Sequence, residues 1–241
     1  MKMLSLFLLI SSLGACTMKD ADGKADELTM LVGTYTNGTS KGIYTFRFDQ
    51  QTGSGSALDS VELPNPSYLT VSENCKFVYA VSEMNDNTAA LNALAFNPES
   101  GSLRLVSKQL TRGADPCHVV ANDRIVLTAN YSGGSLSVFP LNANGTMAPA
   151  DTLFHGQATG PDKLRQITPH IHCAVFSPDG NYVFATDFSA DRILRFTVTS
   201  KGLSATPEDT AIPVKPDSGP RHLTFAPDGK HAYVIGELSG E

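Results

Sequence analysis

An all-β fold made of four-stranded β-propeller blades is predicted by three features of the sequence. One phrase recurs: "NPSYLTVSENCKFVYAVSEMND", "DPCHVVANDRIVLTANYSGG", "PHIHCAVFSPDGNYVFATDFSAD" and "GPRHLTFAPDGKHAYVIGELSG". Anchored on their turns, Ser67, Cys117, His172 and Arg221 are equivalent, at steps of 50, 55 and 49 residues. Inside each unit, short β-rich runs are divided by triplets such as Pro178-Asp179-Gly180, where Pro presets φ and Gly tolerates φ > 0. No stretch sustains a 3.6-residue apolar period. Four short strands repeating every ~40–50 residues are what propeller blades require.

The elements follow in order. "MKMLSLFLLISSLGAC" has one lysine, an apolar run and small residues before Cys16, the pattern of a secretory signal too short to span a bilayer. Its end, Leu13-Gly14-Ala15-Cys16, resembles a bacterial lipobox, in which the cysteine becomes the lipidated first residue; ordinary cleavage without lipid is the alternative. Residues 1–15 are thus the expected signal, residues 16–28 a polar tether, and residues 29–241 a partial propeller. The first unit is phased differently: "TMLVGTYT", "GIYTFRFD" and "SALDSVEL" read as second, third and fourth strands with no first strand before them. In closed propellers that strand commonly comes from the other end of the chain and hides the sheet edges. Three full blades follow, then one hairpin, giving 17 expected strands, about 4.5 of seven blades. The chain is therefore expected to be C-terminally truncated, with two open sheet edges and an uncovered apolar face.

Composition narrows the partners. Net charge is −6, and becomes −7 (17 basic against 24 acidic residues) once residues 1–15 are removed with Lys2. No basic block is present, so nucleic-acid binding has little electrostatic support. Cys75, Cys117 and Cys173, an odd set without a C-x-x-C pair, argue against a disulfide framework or structural zinc and read as small packing residues.

Residues symmetric about a hairpin turn should oppose one another. That pairs Arg221 with Glu237, His172 with Asp187, and Ser67 with Glu83, leaving Asn130 as the equivalent closing residue of its blade. Directly opposed side chains sit ~4.5–5.5 Å apart at Cβ, so each blade would donate a different polar pair to one shared mouth. Strand-end polar residues also serve as plain blade-to-blade hydrogen bonds, and that reading stays open for all of these positions. His170 and His172 form an H-x-H pair that could bind metal from one strand face, yet no spacing supplies further ligands; no metal and no cofactor are expected. His118 and His222 fall on the opposite pleat face and read as packing residues.

At "PHIHCAVFSPDG", "GPRH" and "GEL", in this order and spacing, the sequence resembles the lactonase-type seven-bladed propellers, which include bacterial 6-phosphogluconolactonases and fungal 3-carboxymuconate lactonizing enzymes. "LVGTYTNGTSKGIYTF" is similar to that family's opening, and the family's D-L-G-x-D pattern is here Asp187-Phe188-Ser189-Ala190-Asp191, a departure. The resemblance implies an active site of His172, Arg221 and Glu237, with His170, Asp187, Glu83 and Asn130 as substrate-binding candidates. It implies a carboxylic-ester hydrolase acting on a small-molecule sugar-acid or related lactone. Glu237 or His172 would activate water, and Arg221 would hold an anionic group or stabilise the oxyanion. No G-x-S-x-G nucleophile elbow is present. Export through Cys16 places the expected protein on a membrane, at the periplasmic or outer-membrane face. The alternatives are a non-enzymatic, lipid-anchored binding propeller and a muconate-type cyclising isomerase. As a truncated piece, residues 16–241 are expected to be insoluble or oligomeric and without lactonase activity.

Overall fold

The computed structural model describes residues 27–200, 202–204 and 211–241; the expected signal, Cys16 and the tether as far as residue 26 lie outside them. Among the described residues every regular element is a β-strand except one short 3-10 turn at Phe188–Ala190. The strands form antiparallel sheets in chain order. The first holds β1 (Glu27–Val32), β2 (Gly42–Asp49) and β3 (Gly55–Glu62). The second holds β4 (Leu69–Val71), β5 (Phe77–Ser82), β6 (Ala90–Phe96) and β7 (Leu103–Leu110). The third holds β8 (Pro116–Ala121), β9 (Ile125–Asn130), β10 (Ser135–Pro140) and β11 (Thr152–His155).

The fourth sheet departs from the expected count. β12 (Ile171–Phe176), β13 (Tyr182–Asp187) and β14 (Arg192–Thr199) are followed by β15 (Gly202–Ser204) and β16 (Ile212–Pro213), which pair with opposite ends of β14. One expected outer strand is thus two short ones, and the described chain has 18 strands rather than 17. The last sheet is the hairpin β17 (Pro220–Phe225) and β18 (Ala232–Gly236).

The hairpin turns explain the repeated triplet. Gly180 and Gly229 adopt φ of 70° and 67°, and their amides bond back to Ser177 O and Ala226 O, both at 2.9 Å. The aspartate before each glycine accepts from the following amide: Asn181 N to Asp179 Oδ1 at 3.1 Å and Lys230 N to Asp228 Oδ1 at 2.9 Å. In the second sheet Cys75 stands at the glycine position with φ 55°, and Asn74 takes the aspartate's role.

Burial follows the blade plan. Ile43, Val78, Ala80 and Leu94 join the first two sheets. Tyr79, Leu91, Val126 and Phe139 join the second and third, and Leu127, Leu136, Ala174 and Phe196 the third and fourth. Each such side chain contributes ~1.5–3 kcal/mol when fully buried, so the stability of this fold resides between sheets. The innermost strands β4, β8, β12 and β17 lie side by side in sequence order, the radial arrangement of propeller blades, open rather than closed. On β18, Tyr233 and Ile235 are 63% and 53% exposed.

Candidate active site

The innermost hairpins carry the site, through a feature absent from simple strand pairing. The register shifts between Pro116 and His118, between Ile171 and Cys173, and between Pro220 and His222. Cys117, His172 and Arg221 are therefore the extra residues of three β-bulges at equivalent places in successive sheets. A bulge leaves one residue unpaired and re-aims its side chain. The expected direct oppositions consequently fail: Asp187 faces Ile171, Asn130 faces Pro116, and Gly236 faces Pro220.

In the third and fourth sheets the chain closes the mouth position one residue later than the sequence alignment places it, whereas Glu83 and Glu237 stand where it places them. Glu83 N bonds Asn65 O (3.0 Å), Tyr131 N bonds Asp115 O (2.8 Å), Phe188 N bonds His170 O (3.0 Å) and Glu237 N bonds Gly219 O (2.8 Å). Each acceptor stands two residues before Ser67, Cys117, His172 or Arg221. The equivalent closing residues are thus Glu83, Tyr131, Phe188 and Glu237. Because strand side chains alternate faces, a slip of one residue exchanges mouth for interior, and this is the fate of Asn130 and Asp187. Asn130 is fully buried and bonds Ser135 Oγ (3.0 Å) and Ser137 Oγ (2.8 Å) within its blade. Asp187 is fully buried too, bonded by Arg192 Nε (3.0 Å) and the Gln157 amide (3.2 Å). Burial raises its carboxyl to about 6, against the lowering effect of Arg192.

His172, Arg221 and Glu237 do converge. Arg221 Nε donates to Glu237 Oε2 at 3.0 Å, and His172 Nε2 stands 4.0 Å from the same oxygen. The other oxygen, Oε1, accepts from Arg165 Nη2 at 2.5 Å. Arg165 lies in the connection between β11 and β12, with its guanidinium 5.4 Å from the centre of the Phe188 ring and Nη2 3.3 Å from the Tyr131 hydroxyl. Two guanidinium groups thus hold one carboxylate, one on each oxygen.

The imidazole beside this carboxylate is uncharged. Burial first, then the Arg221 charge and His222, push the His172 pKa down to about 3. The His172–Glu237 contact is therefore not an ion pair at neutral pH. Its 4.0 Å span is too long for a direct hydrogen bond and suits a bridging water. On the other side of the ring, Cys117 Sγ lies 3.8 Å from Nδ1, and burial holds that thiol protonated, well above its ordinary value.

His118 and His222, expected as packing residues, lie in a cluster of rings with Tyr68 that reaches His172. The His172 and His222 rings are 5.2 Å apart, His222 and His118 5.9 Å, and Tyr68 packs tilted against His118 at 4.2 Å. Tyr68, His118 and His222 thus form one layer of rings beside His172. Burial lowers His222 to about 4 and His118 well below its usual value; the layer is neutral. Among the described residues no three histidine, cysteine or carboxylate side chains are grouped to share a metal ion.

The remaining candidates divide. Glu83 faces its own pair: its Oε2 accepts from Tyr35 Oη at 2.9 Å and from Ser67 Oγ, and burial raises its pKa. His170 stacks on Tyr131 at 4.1 Å with 5° between planes and bonds Tyr131 O through Nδ1 (2.8 Å), supporting the closing residue of the neighbouring blade. Arg165, Tyr131, Tyr35 and Tyr68 were not among the sequence candidates.

A family described as Lactonase, 7-bladed beta-propeller, matches residues 29–241. A 6-phosphogluconolactonase of Bacillus subtilis is 37% identical over 214 residues, spanning 87% of this chain and 60% of its own length. A solved structure from Bacteroides uniformis, provisionally described as a 6-phosphogluconolactonase, is 65% identical with a TM-score of 0.85, covering 89% of this chain and 63% of the other. The periplasmic gluconolactonase of Pseudomonas aeruginosa is 35% identical with a TM-score of 0.82, covering 89% and 62%. The chain thus spans about three fifths of the length of the relatives it matches.

Proposed function

The chain belongs to the seven-bladed β-propeller lactonase family, and from that premise we propose that it acts in hydrolysing the ring ester of a sugar-acid or related lactone. The observation that carries this reading is the 4.0 Å gap between Glu237 Oε2 and His172 Nε2 beside the Arg221 guanidinium. A water held in that gap has an acceptor on each side and a cation next to it. Glu237 is the better base of the two, because a buried imidazole lowered to about 3 resists protonation. As the water oxygen adds to the lactone carbonyl carbon, its proton passes to Glu237. The carbonyl oxygen becomes an oxyanion, and Arg221 is the group available to stabilise it. Collapse breaks the ring C–O bond, and the proton returns from Glu237 to the departing ring oxygen. The sum is one water added and one hydroxy acid formed. His172 orients the water as a neutral hydrogen-bond partner.

The lipobox-like Leu13-Gly14-Ala15-Cys16 and a periplasmic gluconolactonase among the similar structures support an exported, lipid-anchored protein that meets its lactone outside the cytoplasm. Turnover of a lactone panel, phosphorylated and neutral, tests the enzymatic reading. Hydrolysis of at least one member above the spontaneous rate is expected. No turnover of any lactone, together with saturable binding, would favour a binding propeller. Ring formation from an open unsaturated acid would favour a cyclising isomerase.

A further inference from the structure

The arginines at the mouth outnumber their acidic partners. Arg165 and Arg221 both pair with Glu237, while the next carboxylate of the mouth, Glu83, is engaged by Ser67 and Tyr35. Glu237 is thus the one carboxylate of the mouth that two guanidinium groups share. The two arginines differ in how they are held. Arg221 belongs to a strand bulge, and its Nη1 lies 3.3 Å from His222 Nε2. Arg165 is presented by a loop, is 46% exposed, and reaches across 72 residues of sequence to its partner.

That loop is built rather than loose. Gln166, beside Arg165, is buried; its amide donates to Phe188 O (2.9 Å) and accepts from Asp162 N (3.0 Å). The amides of Thr159 and Gly160 both bond Ser189 O. Leu164 and Ile167 on either side are exposed, so Gln166 pins the loop tip while its neighbour faces the mouth. Such an anchored backbone carrying an exposed, rotatable guanidinium suits exchange of partners. An exposed ion pair contributes only ~0–1 kcal/mol, so the Arg165–Glu237 contact is weak enough to yield to a ligand. It nonetheless occupies Oε1, one of the two oxygens through which Glu237 accepts a proton.

We propose that Arg165 is an anion-binding residue whose guanidinium passes from Glu237 Oε1 to a carboxylate or phosphate carried by the ligand, freeing that oxygen as the ligand binds. The lactonase reading supplies the identity of the ligand; the exchange itself depends only on an anion competing with Glu237 for one cation. Arginine's planar fork matches both anions.

A binding cycle on the full chain tests this without relying on turnover. Inorganic phosphate and 6-phosphogluconate are titrated calorimetrically into the wild type, Arg165→Ala, Glu237→Gln and the double variant, with Arg165→Gln as a second, bulkier replacement. Losing one charge-assisted hydrogen bond should weaken 6-phosphogluconate about tenfold or more in both Arg165 variants. Glu237→Gln removes the competitor and should tighten it, and most of that gain should vanish when Arg165 is also Ala. A purely structural arginine would produce no tightening in Glu237→Gln. An unchanged Kd in the Arg165 variants, a gain in Glu237→Gln that persists without Arg165, or no measurable binding by the wild type would each overturn the proposal. Failure of the lactonase reading shows separately, as absence of turnover across the lactone panel with the cycle intact.

Discussion

Replacing Gly160 with alanine probes whether the loop after β11 is held by Gln166. A Cβ at residue 160 would lie 2.2 Å from Gln166 Oε1, 2.3 Å from Cδ and 2.5 Å from Nε2. The overlap is with the far end of the Gln166 side chain, so relieving it means moving that amide off its two backbone partners. Its departure breaks the bonds to Phe188 O and from Asp162 N, at ~1 kcal/mol each, and more where the carbonyl stays dry. Gly160 is not among the positive-φ glycines, so alanine costs no backbone strain and returns ~0.4–1 kcal/mol by restricting the unfolded chain. The net expectation is a destabilisation of about 1–2 kcal/mol. Urea unfolding at constant m-value measures it. In a Gln166→Ala background the clash is gone, and Gly160→Ala should then be neutral or slightly stabilising. An equal cost in both backgrounds would refute the reasoning, because the two positions would be acting independently. The same variant should weaken 6-phosphogluconate binding, since Arg165 is carried by the displaced segment.

Further expectations concern charge, surface and export. His118, His172 and His222 all have lowered pKa values in the fold, so their contribution to stability is fully present above the unfolded value of ~6.5 and is lost as pH falls toward 3–4; proton NMR of the imidazoles should show His172 and His222 still neutral at pH 5.5, and a titration of either near 6.5 would contradict the buried assignment. With Tyr233 and Ile235 largely exposed on β18, Tyr233→Thr with Ile235→Thr should shift the stability measured by urea unfolding by no more than about 0.5 kcal/mol; a larger loss would show that these side chains are covered in the folded protein. Cys16→Ala should leave the protein unprocessed or shift it from the membrane fraction to the soluble one, and equal partitioning of both forms after signal cleavage would reject lipid anchoring.

The blade architecture was readable because it is written in local chemistry. β2, read as Gly42–Asp49, and the Pro178-Asp179-Gly180 turn follow from alternation and turn residues alone. The site was readable only in part, and the reason is the bulge. An extra residue at Cys117, His172 or Arg221 leaves no mark on the hydrophobic pattern, yet it offsets the strand register by one across the bulge. Repeat alignment therefore selected Asn130, and symmetry about the turn Asp187, which the register sends into the blades, in place of Tyr131 and Phe188. Arg165 escaped for a different reason: its loop has no counterpart in the other repeats, and its partner lies 72 residues away. The one local signal was a glycine six residues before a glutamine in a polar connection, which gains meaning only when the two are seen in contact.

The central claim is that Glu237, placed between two arginines and a neutral histidine, is the proton acceptor in lactone hydrolysis. Steady-state kinetics of Glu237→Gln against the wild type, on a lactone the wild type hydrolyses, addresses it most directly. The amide keeps the shape and removes the base, so kcat/KM should fall by about 10²–10⁴-fold while the unfolding midpoint in urea moves little. An unchanged kcat/KM, or a loss of activity no larger than the loss of folded protein, would leave Glu237 a structural link between blades and contradict the account.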